Sequence, residues 1–330
     1  MRCLALAQAW IAEGGRATFL GCCENAALRR RVTDEGARFI PLPMAHPNPT
    51  DWQTISRLIR KLKPDWLVID GYHFDPEYQK AARADGVRVL VIDDTAHWPR
   101  YHADILLNQN LGAEKLQYHC DHDTRLLLGT RYVMLRAEFE RWRGWRRRIP
   151  RVATRILVTM GGADPQNIVA KAVLALQYAS LTGMEVRVLL GPDYQYERRL
   201  RRDVRKQRLA IALLRRVADV SEHMAWADFA VAAGGSTCWE MARMGLPAAT
   251  LAAAENQKQV ACLMARRGIT AYLGEAEATT VAQMARAVGK LAHDQTRRRA
   301  MSHAGRGLVD GMGAHRVVSS MNRPLLRRCR

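Results

Sequence analysis

Phe229-Ala-Val-Ala-Ala-Gly-Gly-Ser-Thr-Cys-Trp-Glu240 is the stretch from which the fold is read. A short, wholly apolar run ends in two glycines and passes straight into helix-forming sequence, which is the mark of a buried parallel strand, a tight turn and a covering helix. Glycines at such a turn let backbone N–H groups come close to an anion, and the hydroxyls of Ser236 and Thr237 sit where a helix begins. Glu240 lies about one turn further on, placed to accept from ribose hydroxyls. A capping box running from Thr237 to Glu240 would give the same residue pattern.

Two more segments of this kind flank it. Downstream, Ala254-Glu-Asn-Gln-Lys-Gln259 follows the apolar run ending at Leu251, and it places the amides of Asn256 and Gln257 at a strand's carboxyl end. Amides donate and accept at once, which suits sugar hydroxyls and acetamido groups, although a helix cap uses the same residues. Upstream, Thr159-Met-Gly-Gly-Ala-Asp-Pro-Gln-Asn167 adds a glycine turn after the strand beginning at Arg155, so Gly161, Gly162 and Asp164 join the candidate nucleotide-binding set. Three such turns after strands of one sheet point to a nucleotide diphosphate site on one edge.

Strand and helix alternate through the rest of the chain. Arg16 to Gly21, Arg38 to Pro41, Trp66 to Asp70, Val87 to Ile92, Asp104 to Leu107 and Arg125 to Leu128 read as strands, as do Val186 to Leu190 and Leu209 to Leu214. The class is therefore α/β, with two doubly wound parallel-sheet domains facing a cleft. The boundaries read as 1–139 for the first domain, 140–153 for a basic, tryptophan-bearing linker, and 154–330 for the second domain. One feature departs from the pattern: Leu4, Ala7, Gln8 and Ile11 make the chain open on a helix, so the first domain lacks the central first strand and glycine turn of a doubly wound sheet. Its Ile69-Asp-Gly-Tyr-His73 and Val91-Ile-Asp-Asp94 end strands on acidic residues, and Tyr72 is expected to face the ligand. Asp70 and Asp93 are expected to hold loop N–H groups. Neighbouring Asp93 and Asp94 point apart on extended chain, which disfavours joint metal ligation.

Composition limits the partners. Of 330 residues, 48% are hydrophobic and the net charge is +19, so the chain has packed cores and a basic surface. No nucleic-acid-binding signature accompanies the arginine runs, and no apolar run nears the roughly 20 residues that cross a bilayer. Attraction to a phosphorylated substrate, or peripheral contact with an anionic membrane, fits the same charge. Seven cysteines with no CxxC spacing indicate a reduced, cytoplasmic protein without structural zinc.

The dispersed motifs resemble the bacterial hydrolases that cleave UDP-2,4-diacetamido-2,4,6-trideoxy-β-L-altropyranose in pseudaminic acid biosynthesis. The matches run from Arg2-Cys-Leu-Ala-Leu-Ala through Asp70-x-Tyr72, Ile92-Asp-Asp, Leu107-Asn-Gln-Asn, Leu128-Gly, Gly161-Gly-Ala-Asp-Pro-x-Asn167, Ala233-Gly-Gly-Ser-Thr-x-Trp-Glu240 and Asn256-Gln257 to Asp310-Gly-x-Gly-Ala314. The resemblance implies a two-domain GT-B fold related to the peptidoglycan N-acetylglucosaminyltransferase. It implies pyrophosphate at Gly235, Ser236 and Thr237, ribose at Glu240, uracil at the loop of Arg216 and Val217, and sugar at Tyr72, Asn256 and Gln257. It requires no cofactor. The family's general-base histidine, in Gly-x-Gly-His-x-Met-Arg, would fall immediately before Met1, so the chain is expected to be a fragment, or a catalytically dead copy, unless His73 or His97 serves instead. A GT-B transferase that uses a UDP-N-acetyl-sugar donor is the alternative.

Overall fold

The computed structural model describes residues 1–179, 181–206, 209–215 and 217–324. The chain divides into two compact units: Met1–Ala137 together with the segment from Met312 on, and Glu138–Gly311.

The first unit contains α1 (Arg2–Ala12), β1 (Thr18–Gly21), α2 (Ala26–Asp34), β2 (Arg38–Pro41), α3 (Asp51–Leu62), β3 (Trp66–Asp70), α4 (Pro76–Ala84), β4 (Arg88–Ile92), β5 (Ile105–Asn108) and β6 (Arg125–Leu128). Local chemistry sets the helix starts. The Asn25 side chain accepts from the N–H groups of Ala27 and Leu28, and Asp75 accepts from Tyr78 with Pro76 in the first turn. In α3 the spacing of Ile55 and Ile59 turns one stripe into the core, and Lys63 ends the helix in the left-handed conformation.

The strands of this unit form two separate parallel sheets, β1-β2 and β3-β4-β5-β6. Among the described residues no strand pairs the outer edge of β1 or the outer edge of β3. The order β2-β1, then β3-β4-β5, is that of a doubly wound sheet without its central first strand, as the opening helix led us to expect. Side chains link the two sheets: Leu20 of β1 packs against the cluster formed by Ile55, Ile59, Ile69, Val89 and Val91. On the opposite side of β3–β6, Leu6 and Ala9 of α1 join Leu90, Ile92, Ile105 and Leu107 in a second cluster.

The second unit contains β7 (Arg155–Thr159), α5 (Ile168–Tyr178), β8 (Glu185–Leu190), α6 (Glu197–Arg205), β9 (Ala210–Arg215), α7 (Val220–Trp226), β10 (Phe229–Ala233), α8 (Thr237–Arg243), β11 (Ala248–Ala252), α9 (Glu255–Arg266), β12 (Thr270–Glu275), α10 (Val281–His293) and α11 (Gln295–Leu308). One parallel six-stranded sheet runs β12-β11-β10-β7-β8-β9. Every residue of β10 and β11 is buried, which explains why these strands read as continuous apolar runs. The edge strand β12, Thr-Ala-Tyr-Leu-Gly-Glu, was not expected from the sequence.

Two segments belong elsewhere than the 140–153 and 154–330 boundaries placed them. Residues after Glu138 pack on the second unit: Trp142 Nε1 donates to Ser221 Oγ at 2.7 Å, and Arg147 donates to the carbonyls of Met224 and Ala227. The last helix, α12 (Gly313–Asn322), packs with α1, and its Ala314, Val317, Val318 and Met321 enter the core of the first unit. The apolar face of α1 supplies the surface that draws it back.

Candidate functional site

In the second unit the carboxyl ends of β7, β10 and β11 lie side by side, with Ala232 in register with Thr159 and Ala233 with Leu251. The glycine turn after β10 and the amide segment after β11 are in contact. Gly234 N–H donates to the Leu251 carbonyl at 2.8 Å. A Cβ added at Gly234 would lie 3.1 Å from Ala261 Cβ, and one at Gly235 would lie 3.5 Å from Gln257 Nε2. Gln257 is held in that position because its Oε1 accepts from Ala253 N–H at 3.0 Å, which leaves the amide nitrogen on the side of Gly235. Gln257 thus braces the turn as well as bordering it.

The helix that follows this turn starts without a side-chain cap. Ser236, rather than Thr237, occupies the cap position, in helical conformation and with no capping hydrogen bond from its side chain. In this first turn Cys238 N–H donates to the Gly235 carbonyl at 2.9 Å and Trp239 N–H to the Ser236 carbonyl at 3.0 Å, and the N–H groups that precede them stand at the positive end of the helix dipole. Ser236 is exposed, while Thr237 and Glu240 are half-buried beside it. The other side of α8 is anchored by buried Cys238, Trp239, Met241 and Ala242. Burial pushes the Cys238 thiol up to about 12, so it is an inert core group. Asn256 lies exposed in the first turn of α9.

The turn after β7 is arranged differently. Gly161 adopts φ +84°, and Asp164 and Asn167 are also left-handed, at 44° and 52°. This path folds the Asp164 side chain back onto α5: Oδ1 accepts from Ile168 N–H at 2.8 Å and Oδ2 from Val169 N–H at 2.9 Å. Asp164 is buried, and burial pushes its carboxyl up from the usual range, against the pull of the two N–H groups. The Gly162 carbonyl accepts from Asp193 N–H at 3.2 Å, and a Cβ at Gly191 would come within 2.0 Å of it. Asp164 therefore serves the start of α5, and the turn of Gly161 and Gly162 is packed against the one after β8. Val217 is half-buried just beyond the end of β9, at the far edge of the sheet. Arg216 lies outside the described residues.

Tyr72 belongs to the first unit, at the carboxyl end of β3. Its hydroxyl donates to Asp94 Oδ2 at 2.8 Å, and Asn110 Nδ2 donates to Asp94 Oδ1 at 2.7 Å. Arg2 bridges two strands, with Nη2 2.7 Å from Asp70 Oδ1 and Nη1 2.8 Å from Asp94 Oδ1. Burial alone would raise the Asp70 carboxyl, but Arg2 holds it below its ordinary value. Asp70 is thus tied to Arg2 instead of to loop N–H groups. Asp93 does hold the loop: its Oδ2 accepts from the N–H groups of Thr95 and Ala96 at 2.8 and 2.7 Å. Sequence reasoning missed Arg2 and Asn110, since nothing local marks a helix-opening arginine as the partner of carboxylates 68 and 92 residues away.

Of the two substitute histidines, His97 has both ring nitrogens engaged. His97 Nε2 faces the Tyr72 carbonyl at 3.2 Å, which can only accept, so this nitrogen carries the proton. Its Nδ1 lies between Thr95 Oγ1 at 3.1 Å and Asp93 Oδ1 at 3.3 Å. His73 is exposed, and its carbonyl accepts from His46. Among the described residues no group of three or more His, Cys, Asp or Glu has metal-holding geometry, and no helix is long and apolar enough to cross a membrane.

Residues 155–313 match the model of the glycosyltransferase family 28 C-terminal domain. The spore coat polysaccharide biosynthesis protein SpsG of Bacillus subtilis is 24% identical over 267 residues, which is 80% of this chain and 78% of that protein. An uncharacterized protein of Methanocaldococcus jannaschii is 26% identical over 217 residues, 64% of this chain, and the match spans only 45% of that relative's length. Among solved structures, MurG of Acinetobacter baumannii aligns with a TM-score of 0.66 at 14% identity, covering 97% of this chain and 94% of that one. MnaA of S. aureus, solved with UDP, aligns with a TM-score of 0.65 at 12% identity, covering 96% and 91%. The chain thus has the GT-B fold, and its residues 155–313 are similar to the glycosyltransferase family 28 C-terminal domain.

Proposed function

We propose that this chain binds a UDP-linked diacetamido sugar, in the manner of the pseudaminic acid pathway hydrolases, and cleaves it to UDP and the free sugar. The observation that carries the reading is the uncapped start of α8, set at the carboxyl end of β10 against Gln257. In this reading the diphosphate sits on the N–H groups of Gly235, Ser236 and Thr237, Glu240 accepts from the ribose, and Val217 borders the base. Asn256 and Gln257 address the sugar from the same unit. Water attacks the anomeric carbon and gives up one proton to the solvent, the bond from that carbon to the diphosphate oxygen breaks, and UDP leaves with its charge spread over helix-terminal dipoles. Asp164 has a supporting part: it fixes the neighbouring α5 and leaves the anion to α8.

A transferase reading draws on the family 28 match, since the same donor site can pass the sugar to an acceptor. NMR of the UDP-sugar incubated with the chain alone separates the two. Free sugar in the absence of acceptor supports hydrolysis, release only with an acceptor supports transfer, and bound UDP with no release under either condition leaves a binding protein. If joint replacement of Thr237 and Glu240 leaves UDP affinity unchanged, the assignment of the site fails.

A further inference from the structure

A cavity of about 770 Å³ opens in the second unit, away from the glycine turns, between the segment preceding β7 and the helix α11. Arg146, Arg147, Arg148 and Arg151 line it from the first side, Arg299 and Arg306 from the second. No carboxylate lines it. Arg299, His303 and Arg306 are spaced along one face of α11, so the helix presents its cations together. Among the described residues none of the six arginines is ion-paired, although the chain pairs arginines freely elsewhere, as in the cluster of Arg83 with Asp104, Asp121 and Asp123.

Part of this wall is fixed. Arg147 donates to the carbonyls of Met224 and Ala227 and lies over the Trp145 ring at 5.0 Å, while Arg306 donates to the Trp145 carbonyl. Burial holds the Arg147 guanidinium down to about 9, and burial together with Arg146 lowers that of Arg306. Converging cations without a counter-charge oppose folding unless an anion neutralises them. Guanidinium forks match phosphate oxygens in pairs, and this volume is in the range of a small-molecule site, larger than one orthophosphate needs.

We propose that this arginine-lined cavity is a second binding site, for a group bearing several phosphate charges, separate from the nucleotide turn. The same chemistry is offered by a soluble polyphosphorylated molecule and by an acidic phospholipid headgroup. Arg148, Arg151 and Arg299 supply the adaptable contacts, since no hydrogen bond ties their side chains among the described residues. Arg147 and Arg306 supply fixed charge.

The test uses the full chain. Sodium tripolyphosphate is titrated by calorimetry near physiological salt, with and without saturating UDP, and vesicles of phosphatidylcholine with and without phosphatidic acid are sedimented with the protein. The variant carries Arg148→Ser, Arg151→Ser and Arg299→Ser, with thermal melting and UDP binding as controls of folding. Expected are tripolyphosphate binding that persists with UDP present, weakens as salt rises, and falls at least about tenfold in the variant, whose melting temperature does not fall and whose UDP affinity does not change. Retention only on phosphatidic acid vesicles, lost in the variant, supports the proposal with the lipid as source. Binding of neither probe, equal binding by the variant, or displacement of tripolyphosphate by UDP overturns it. Because UDP affinity is read separately, failure here is distinct from failure of the nucleotide assignment.

Discussion

Neighbouring strands β7 and β10 each end in a pair of glycines followed by a helix, yet the two turns have been put to opposite uses. After β7 the chain bends through left-handed residues, so that Asp164 covers the N–H groups of Ile168 and Val169. After β10 the chain enters α8 directly, and the residue at its cap position makes no side-chain capping hydrogen bond. The same local motif therefore makes a closed helix start in one place and an open one beside it. An anion is expected at the open one, because the closed one already holds a carboxyl group of its own.

The closed turn depends on tight backbone contact, and that contact is where the contrast breaks most severely. Gly191→Ala places a methyl against the Gly162 carbonyl, where a Cβ would come within 2.0 Å. Backbone atoms cannot swing aside as a flexible side chain can. The expected loss is about 3 kcal/mol of stability, read from the midpoint of denaturant unfolding. A loss below about 1 kcal/mol would mean that the two turns are not pressed together.

Ser236→Asp sharpens the contrast by giving the open turn the carboxyl group that the closed one has. A negative charge at the start of α8 stabilises the helix by about 0.3–1 kcal/mol and repels a diphosphate at the same point. UDP affinity is expected to fall at least about tenfold, or roughly 1.4 kcal/mol, in calorimetric titration. If affinity is kept while the helix is stabilised, the diphosphate does not bind at α8.

The sequence was most legible where apolar runs were short and bounded. The strand from Trp66 to Asp70 and the one from Phe229 match the structure to within a residue, because both faces of each strand are covered and polar residues begin where burial ends. Strand β12 escaped notice because it forms a sheet edge, with four of its six positions half-buried and one exposed, so its apolar content is diluted. The return of α12 to the first unit was equally hidden, since an amphipathic helix carries no mark of which core will receive its apolar face. The break in the first unit's sheet was readable from topology alone, because a helix stands where a doubly wound sheet has its first strand. At the site, proximity of the turns after β7, β10 and β11 followed from sheet order. Which turn stays open did not follow, because Asp164 and Ser236 are both small polar residues placed just after glycines. The left-handed backbone at Asp164 and Asn167 accompanies the closed turn, and no residue type in the segment marks it.

The smallest effect tests what holds the closed turn shut. Asp164→Asn keeps one acceptor for the two N–H groups and is expected to cost about 1 kcal/mol. Its pH dependence carries the sharper information. In the folded protein burial raises the Asp164 carboxyl above its ordinary value, so the native state holds this proton more tightly than the unfolded chain does. As pH rises from the ordinary carboxylate range through the raised value, the unfolded chain releases the proton first and native stability falls. Asparagine has no proton to release, so the cost of the substitution is expected to shrink as pH rises through that window. Unfolding curves of both proteins across the acid range test the sign. A cost that grows with pH would mean that the two N–H groups outweigh burial, and that the start of α5 is held by an ionised carboxylate as strongly as α8 is proposed to hold a diphosphate.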